Sequence, residues 1–312
     1  MYLGDLTEYT VKRLIIGVFI VLTVTVILFG IMQAMPGDPI ELLAGERVSP
    51  EKIAQLKAQW GLDKPVYMQY FYWLSRIIRG DFGRSMVTKL PVIELIKARL
   101  PYTLLLTGSA LIVEYVIAIP LGLLAALKWG SKTDHVVVTL SIVLWSMPSF
   151  WLGVLLMIIF AIKLNLLPLS GYSGLKSLIL PLLTLSLPSL AGTLRLTRSE
   201  VLEVLREDYV LTAYAKGLPK YKVLIKHVLR NALVPVTVMF FLYLPWLIGG
   251  AVIVETVFAW PGMGRLLWKS ITVQDYPVVQ AIIFIIALLT VISNTIGDIV
   301  SAVLDPRIRE AL

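Results

Sequence analysis

Cysteine is absent from all 312 residues, which excludes disulfides and thiolate metal sites and leaves the redox compartment unreadable from thiols. Histidine is nearly absent too: only His135 and His227 occur, and neither stands in a His-Glu-x-x-His pair or another metal-ligand spacing. No metal site is expected, and no Ser/His/Asp constellation can be assembled for nucleophilic catalysis. A Gly-x-x-x-x-Gly-Lys-Ser/Thr loop, whose backbone N–H groups and lysine would surround phosphate, is missing as well. That excludes ATP hydrolysis by such machinery within this chain. Charge is scarce: 15% of the residues are charged, against about 25% in ordinary soluble domains.

What the chain has is apolar length. With 58% hydrophobic residues and a mean hydropathy of +0.84 it reads as an all-α polytopic membrane protein. Crossing roughly 30 Å of hydrocarbon takes about 17–25 residues per helix. Six stretches qualify: Leu14–Met35, Thr103–Leu127, Val136–Ile162, Leu178–Leu196, Ala232–Val254 and Val278–Leu304. The first is too long for the apolar part of a cleavable signal peptide and lacks a small-residue cleavage site, so it is expected to be retained. The net charge of +8 needs no nucleic acid to explain it, because positive residues concentrate in loops on one side. With the N-terminus inside, 14 Lys and Arg fall in inner segments and 4 in short outer loops. Both termini are therefore expected in the cytoplasm.

Between the fourth and fifth spans lies a short helix with its own start and stop signals. Asp208 is placed to act as N-cap, Lys216 suits the negative C-terminal end, Gly217 fits a left-handed position and Pro219 forbids continuation. A second helical stretch is expected from Lys220 to Arg230. Isolated helices shorter than roughly 12–15 residues are marginal in water. One of about two turns, with small Ala213 and Ala215 expected on its surface, points to an element that docks into another protein.

The run Tyr209-Val-Leu-Thr212-Ala213-Tyr-Ala215-Lys216-Gly217-Leu218-Pro219 resembles the coupling loop of permease subunits of ATP-binding-cassette importers, in the dipeptide/oligopeptide/nickel group. Where the wider superfamily has Glu-Ala-Ala followed by Gly, this chain has Leu211, Thr212, Ala213 and Gly217, without the Glu. The resemblance implies a type I importer permease fold of six transmembrane helices. It also implies a second homologous permease subunit in a heterodimer, two ATPase subunits that bind ATP and Mg, an extracytoplasmic substrate-binding protein, and the plasma membrane of a prokaryote. No cofactor is expected in this chain itself. Peptides are the expected cargo, with oligosaccharides or nickel complexes as alternatives within the group. A self-contained secondary transporter is the alternative outside it.

The domain plan follows. Residues 1–13 form an N-terminal segment at the inner surface or a frayed end, and 14–35 the first span. Residues 36–102 form an extracytoplasmic helical cap, 103–304 the permease core with its coupling loop at 197–231, and 305–312 a cytoplasmic tail. In the cap, Ser49-Pro50-Glu51 with terminator Gly61 and the stretch Pro65–Arg79 with terminator Gly80 each define an amphipathic helix. Tyr67, Tyr70, Phe71, Leu74, Ile77 and Ile78 are expected on one packed side of the second. The insertion, with its Gly80-Asp-Phe-Gly83 motif, resembles the first permease subunit of peptide importers, where a lid role is implied; a structural cap fits equally. The exit Met35-Pro-Gly-Asp-Pro39 and the tail motif Asp305-Pro306-Arg307 resemble the same group.

Proline breaks are expected at Pro148, Pro188 and Pro245, with Met147 and Leu244 beside a pathway or gate; ordinary kinked packing is the other reading. Beyond the fifth span, Glu255, Phe258, Pro261, Gly262 and Gly264 resemble the group's outer motif. Glu255 either meets the binding protein or serves the local fold. Glu114 is the one carboxylate near the middle of a span, costly there unless protonated, paired or wet. It is expected to be neutral and hydrogen-bonded, with a proton relay as the alternative. Asp298 is expected near the inner interface.

Overall fold

A computed structural model describes residues 3–34, 55 and 63–304, and their regular structure is helical apart from one isolated bridge between Arg84 and Pro91. Five of the described helices are long and apolar enough to cross a membrane, or six spans if a sharply bent pair counts as one. The exit motif at 35–39, the expected helix from Ser49 to Gly61 and the tail from residue 305 lie outside the described residues.

Helix α1 runs unbroken over Leu3–Ala34. The expected separate segment at 1–13 is thus, from Leu3 onward, the first turns of the spanning helix, because Thr10-Val-Lys-Arg13 contains no residue that ends a helix. Arg13 forms a 3.1 Å ion pair with Asp298 near the end of the last helix. Helix α2, Val66–Ile78, starts after Pro65 and stops before Gly80, whose φ is +77°. Its Tyr70 hydroxyl lies 2.9 Å from Thr25 Oγ1, and Phe29 of α1 packs edge-on against Tyr70 and tilted against Trp73. Tyr67, Phe71 and Ile78, expected on the packed side, are exposed. A helix with aromatics all round offers only one stripe to its single neighbour. Below it, Arg76 and then the Gly83 N–H donate to Asp81 and hold its carboxyl below the usual carboxylate range.

Helix α3, Val92–Leu127, starts well before the expected span at Thr103 and passes through Pro101 and Pro120. Its early turns are held by packing: Val92 and Ile96 are buried with Met263, Leu267, Val278 and Ile282. Helix α4, Lys132–Ser146, is followed at a 104° bend by α5, Ser149–Leu156, which continues as a π-helical stretch to Lys163. Pro148 causes the bend. The residue before a proline avoids helical geometry, and Met147 sits at φ −79°, ψ 127°.

Helix α6, Ile179–Val204, is the central element, contacted by α3, α4 and α5. Pro188 lies inside it without ending it. Packed neighbours hold a spanning helix through such a defect. After the short α7, Asp208–Ala215, a one-turn α8, Lys220–Val223, leads through a π-helical stretch into α9, Arg230–Val257, which runs without interruption past residue 245. Of the three breaks expected at proline, only that at Pro148 forms. Helices α10, Met263–Thr272, and α11, Tyr276–Leu304, complete the chain. The α3–α6 seam depends on small residues. Ala118 packs with Leu190 and Leu194, and a Cβ on Gly122 would lie 2.6 Å from the Leu194 carbonyl oxygen.

Candidate coupling site

At one end of the bundle, α6 ends at Val204 and the chain turns through Arg206 and Glu207 into α7. The N-cap is Glu207, in extended geometry, and Asp208 is the first helical residue rather than the cap. In that place its carboxylate still faces the positive end of the helix. At the other end, the Gly217 N–H donates to Tyr214 O at 2.9 Å and the Leu218 N–H to Ala213 O at 3.4 Å. Gly217 has φ +78°. This is a Schellman stop, with Leu218 packed into the cluster that holds Val210 and Ala213. Pro219, extended, then starts α8.

The two faces of α7 differ sharply. Val210 and Ala213 are buried against Ala126 of α3, Val201 of α6, Val223 of α8, Val228 and Ala232. Ala213, expected on the docking surface, is 5% exposed and belongs to the chain's own core. The outward face is instead formed by Tyr209, Leu211, Thr212, Tyr214, Ala215 and Lys216, with Leu211 57% exposed. Tyr209 is steadied from the side by Asn231 Nδ2, which donates to its hydroxyl at 2.8 Å. Beside α7 opens a cleft of about 530 Å³ lined by Arg198, Leu202, Glu203, Arg206, Glu207 and Asp208. The helix is thus packed against its own bundle on one side and presents exposed apolar side chains on the other.

The other sequence-derived residues fall elsewhere. Met147 and Leu244 pack against the same buried cluster, which includes Leu106, Leu152, Val254, Phe258 and Trp260. Pro148 adjoins it; Pro188 lies within α6. Glu255 is fully buried: Thr103 Oγ1 donates to its Oε1 at 2.6 Å and the Arg265 N–H to its Oε2 at 3.0 Å. Phe258 and Gly262 are buried as well, and Pro261 is half-buried. A Cβ on Gly264 would come within 2.5 Å of Val252 Cα. These residues knit α3, α9 and α10 together, as the local reading of Glu255 requires. Glu114, 1% exposed, accepts from Thr193 Oγ1 at 2.6 Å across the α3–α6 seam.

Asp134 and Arg198, which no sequence motif singles out, form a two-pronged ion pair at this same end. Ser131-Lys-Thr-Asp134 carries the signature of a helix start, and Ser131 does cap α4. Nothing in the pattern ties it to an arginine on α6.

Comparison with known proteins decides the family. The description "binding-protein-dependent transport system inner membrane component" matches residues 118–310, and its N-terminal counterpart matches residues 6–107. The chain belongs to this family of ABC importer permease subunits. It is 41% identical to the oligopeptide transport system permease protein AppB of Bacillus subtilis, covering 97% of this chain and 99% of that one. It is 37% identical to the dipeptide transport system permease protein DppB of Escherichia coli K12, covering 97% and 98%. With the glutathione transport system permease protein GsiC of Salmonella choleraesuis the identity is 40%, covering 97% and 99%. A chain of the inward-facing MetNI methionine ABC transporter superposes with a TM-score of 0.56 at 18% identity, covering 69% of this chain and 98% of that one. That likeness concerns the fold. As a permease subunit the protein is a multi-pass inner-membrane component of an ABC complex and not an enzyme.

Proposed function

We propose that this permease subunit forms half of the pathway through which a prokaryotic plasma membrane imports di- and oligopeptides, handed over by an extracytoplasmic binding protein. A second, homologous permease supplies the other half, and two ATPase subunits bind ATP and Mg. Both termini and α7 face the cytoplasm, in keeping with the excess of Lys and Arg around α7. The observation that carries the reading is the two-faced α7: Val210 and Ala213 fix it to the bundle, while Leu211 and Tyr214 are free to enter a partner's groove. When ATP draws the ATPases together, the docking helices follow, and the packed spans convert that movement into alternate opening of the two sides. The named substrates of the full-length relatives are oligopeptide, dipeptide and glutathione, all built on amide-linked amino acids, which supports peptide as the cargo class.

The test is competition. In proteoliposomes holding the four-subunit complex and its binding protein, ATP-driven uptake of labelled trialanine should be inhibited by unlabelled di- and tripeptides and not by nickel complexes or oligosaccharides. Inhibition by either of the latter, with none by peptides, would overturn the cargo assignment.

A further inference from the structure

Three arginines, two on α6 and one in the turn that follows it, reach back to α4 and the turn before it: Arg198 and Arg206 meet its start, and Arg195 meets its far end. Arg195 lies 5.2 Å over the Trp145 ring, Arg198 grips Asp134, and Arg206 lies 5.9 Å over the Trp129 ring. The middle contact is the tightest. Arg198 Nε donates to Asp134 Oδ1 at 2.7 Å and Nη2 to Oδ2 at 2.9 Å, while the Gly130 N–H donates to Oδ2 at 3.0 Å. Asp134 is 2% exposed, so its charge is satisfied almost wholly by these donors. Bidentate guanidinium–carboxylate pairs fix direction as well as distance. The half-exposed Trp145 ring also lies close to α6: a Cβ on Gly192 would lie 2.8 Å from it.

These contacts join two elements whose connection matters for movement. One end of α6 leads directly into α7, and the far end of α4 leads through Met147-Pro148 into the 104° bend. A contact between α6 and the start of α4 therefore links the docking helix to the bent span.

We propose that Asp134 and Arg198 are positioning residues that clasp α4 to α6, so that displacement of α7 carries the bent span with it as one body. The clasp rests on the transport reading above, since it transmits movement that ATPase partners supply. Without it, α7 still docks, but its movement is dissipated between α6 and α4 before it reaches Met147. Removing one partner of a buried charge-assisted pair shifts such an equilibrium about tenfold or more.

The experiment uses the complete complex in proteoliposomes and nanodiscs, with spin labels on cysteines introduced at Lys220, which follows α7 and lies off its outward face, and at Val143, both exposed; this chain has no cysteine of its own, and the partner subunits are used in cysteine-free form. In the otherwise unsubstituted complex the label-to-label distance is expected to be the same with and without a non-hydrolysable Mg–ATP analogue. Asp134→Asn should make it nucleotide-dependent and lower labelled-trialanine uptake per ATP hydrolysed about tenfold. The exchange Asp134→Arg with Arg198→Asp should restore both, which a residue that merely fills space would not do. If Asp134→Asn fails to assemble, Arg198→Lys, which keeps the charge and loses the two-pronged grip, supplies the same readouts. A nucleotide-dependent distance in the unsubstituted complex overturns the clasp, as does an unchanged uptake yield in Asp134→Asn or Arg198→Lys. No ATP-driven uptake by the unsubstituted complex would instead overturn the transport reading on which the clasp depends.

Discussion

A Cβ placed on Gly262 would lie 2.1 Å from the Oε1 atom of Glu255. The glycine exists because the carboxylate occupies the space a side chain would need, with Thr103 and the Arg265 N–H already bonded to it. Thr103 Oγ1 also accepts from the Met263 N–H at 2.8 Å, so α3, α9 and α10 meet at one buried carboxylate. Gly262→Ala should force this knot open, and Glu255→Ala should strand the donors, each unsatisfied group costing about 1–3 kcal/mol. Thermal unfolding of the detergent-solubilised chain is expected to show both losses. Unchanged stability in Glu255→Ala would mean that the carboxylate serves a partner instead.

Substitutions on the two faces of α7 should separate stability from docking. Ala213→Leu overpacks a closed cluster and should cost about 1–3 kcal/mol of chain stability. Leu211→Ala and Tyr214→Ala, on the exposed face, should change stability by no more than about 0.5 kcal/mol. Their effect should appear in co-purification with the ATPase subunits, which is expected to weaken. Gly217→Val, forced to φ +78°, should destabilise the chain, and Gly217→Asn much less.

Met147 and Leu244 flank one buried cluster at the α4–α5 bend. If the bend opens and closes the pathway, single cysteines at these positions should react with a water-soluble thiol reagent at rates that change when Mg–ATP is added to the full complex. Constant rates would assign the bend to packing alone.

Glu114 accepts a hydrogen bond from Thr193 with one oxygen, and Gln in its place retains an acceptor of the same reach. Glu114→Gln should therefore leave ATP-driven uptake largely intact. Loss of uptake, with the complex still assembled, would point to proton transfer at this position.

Where the sequence was legible, the signals were local. The docking helix carried its stop in Gly217 and Pro219, α2 was bounded by Pro65 and Gly80, and apolar length alone located the spans. Facing was not legible. Small residues suit either a docking surface or a tight seam, and only the neighbours of Ala213 show that it belongs to the seam. Proline has the same ambiguity: Pro148 breaks its helix while Pro188, in a helix packed on several sides, does not. The Asp134–Arg198 pair joins residues far apart in the chain, and neither periodicity nor spacing records such a meeting.

The most direct measurement is reconstitution of this chain with its second permease, two ATPase subunits and binding protein, set against the chain alone. The account predicts peptide uptake only in the complete assembly, dependent on ATP and lost with Leu211→Asp or Tyr214→Asp on the outward face of α7. Gradient-driven uptake by the isolated chain, indifferent to ATP and to those substitutions, would contradict it.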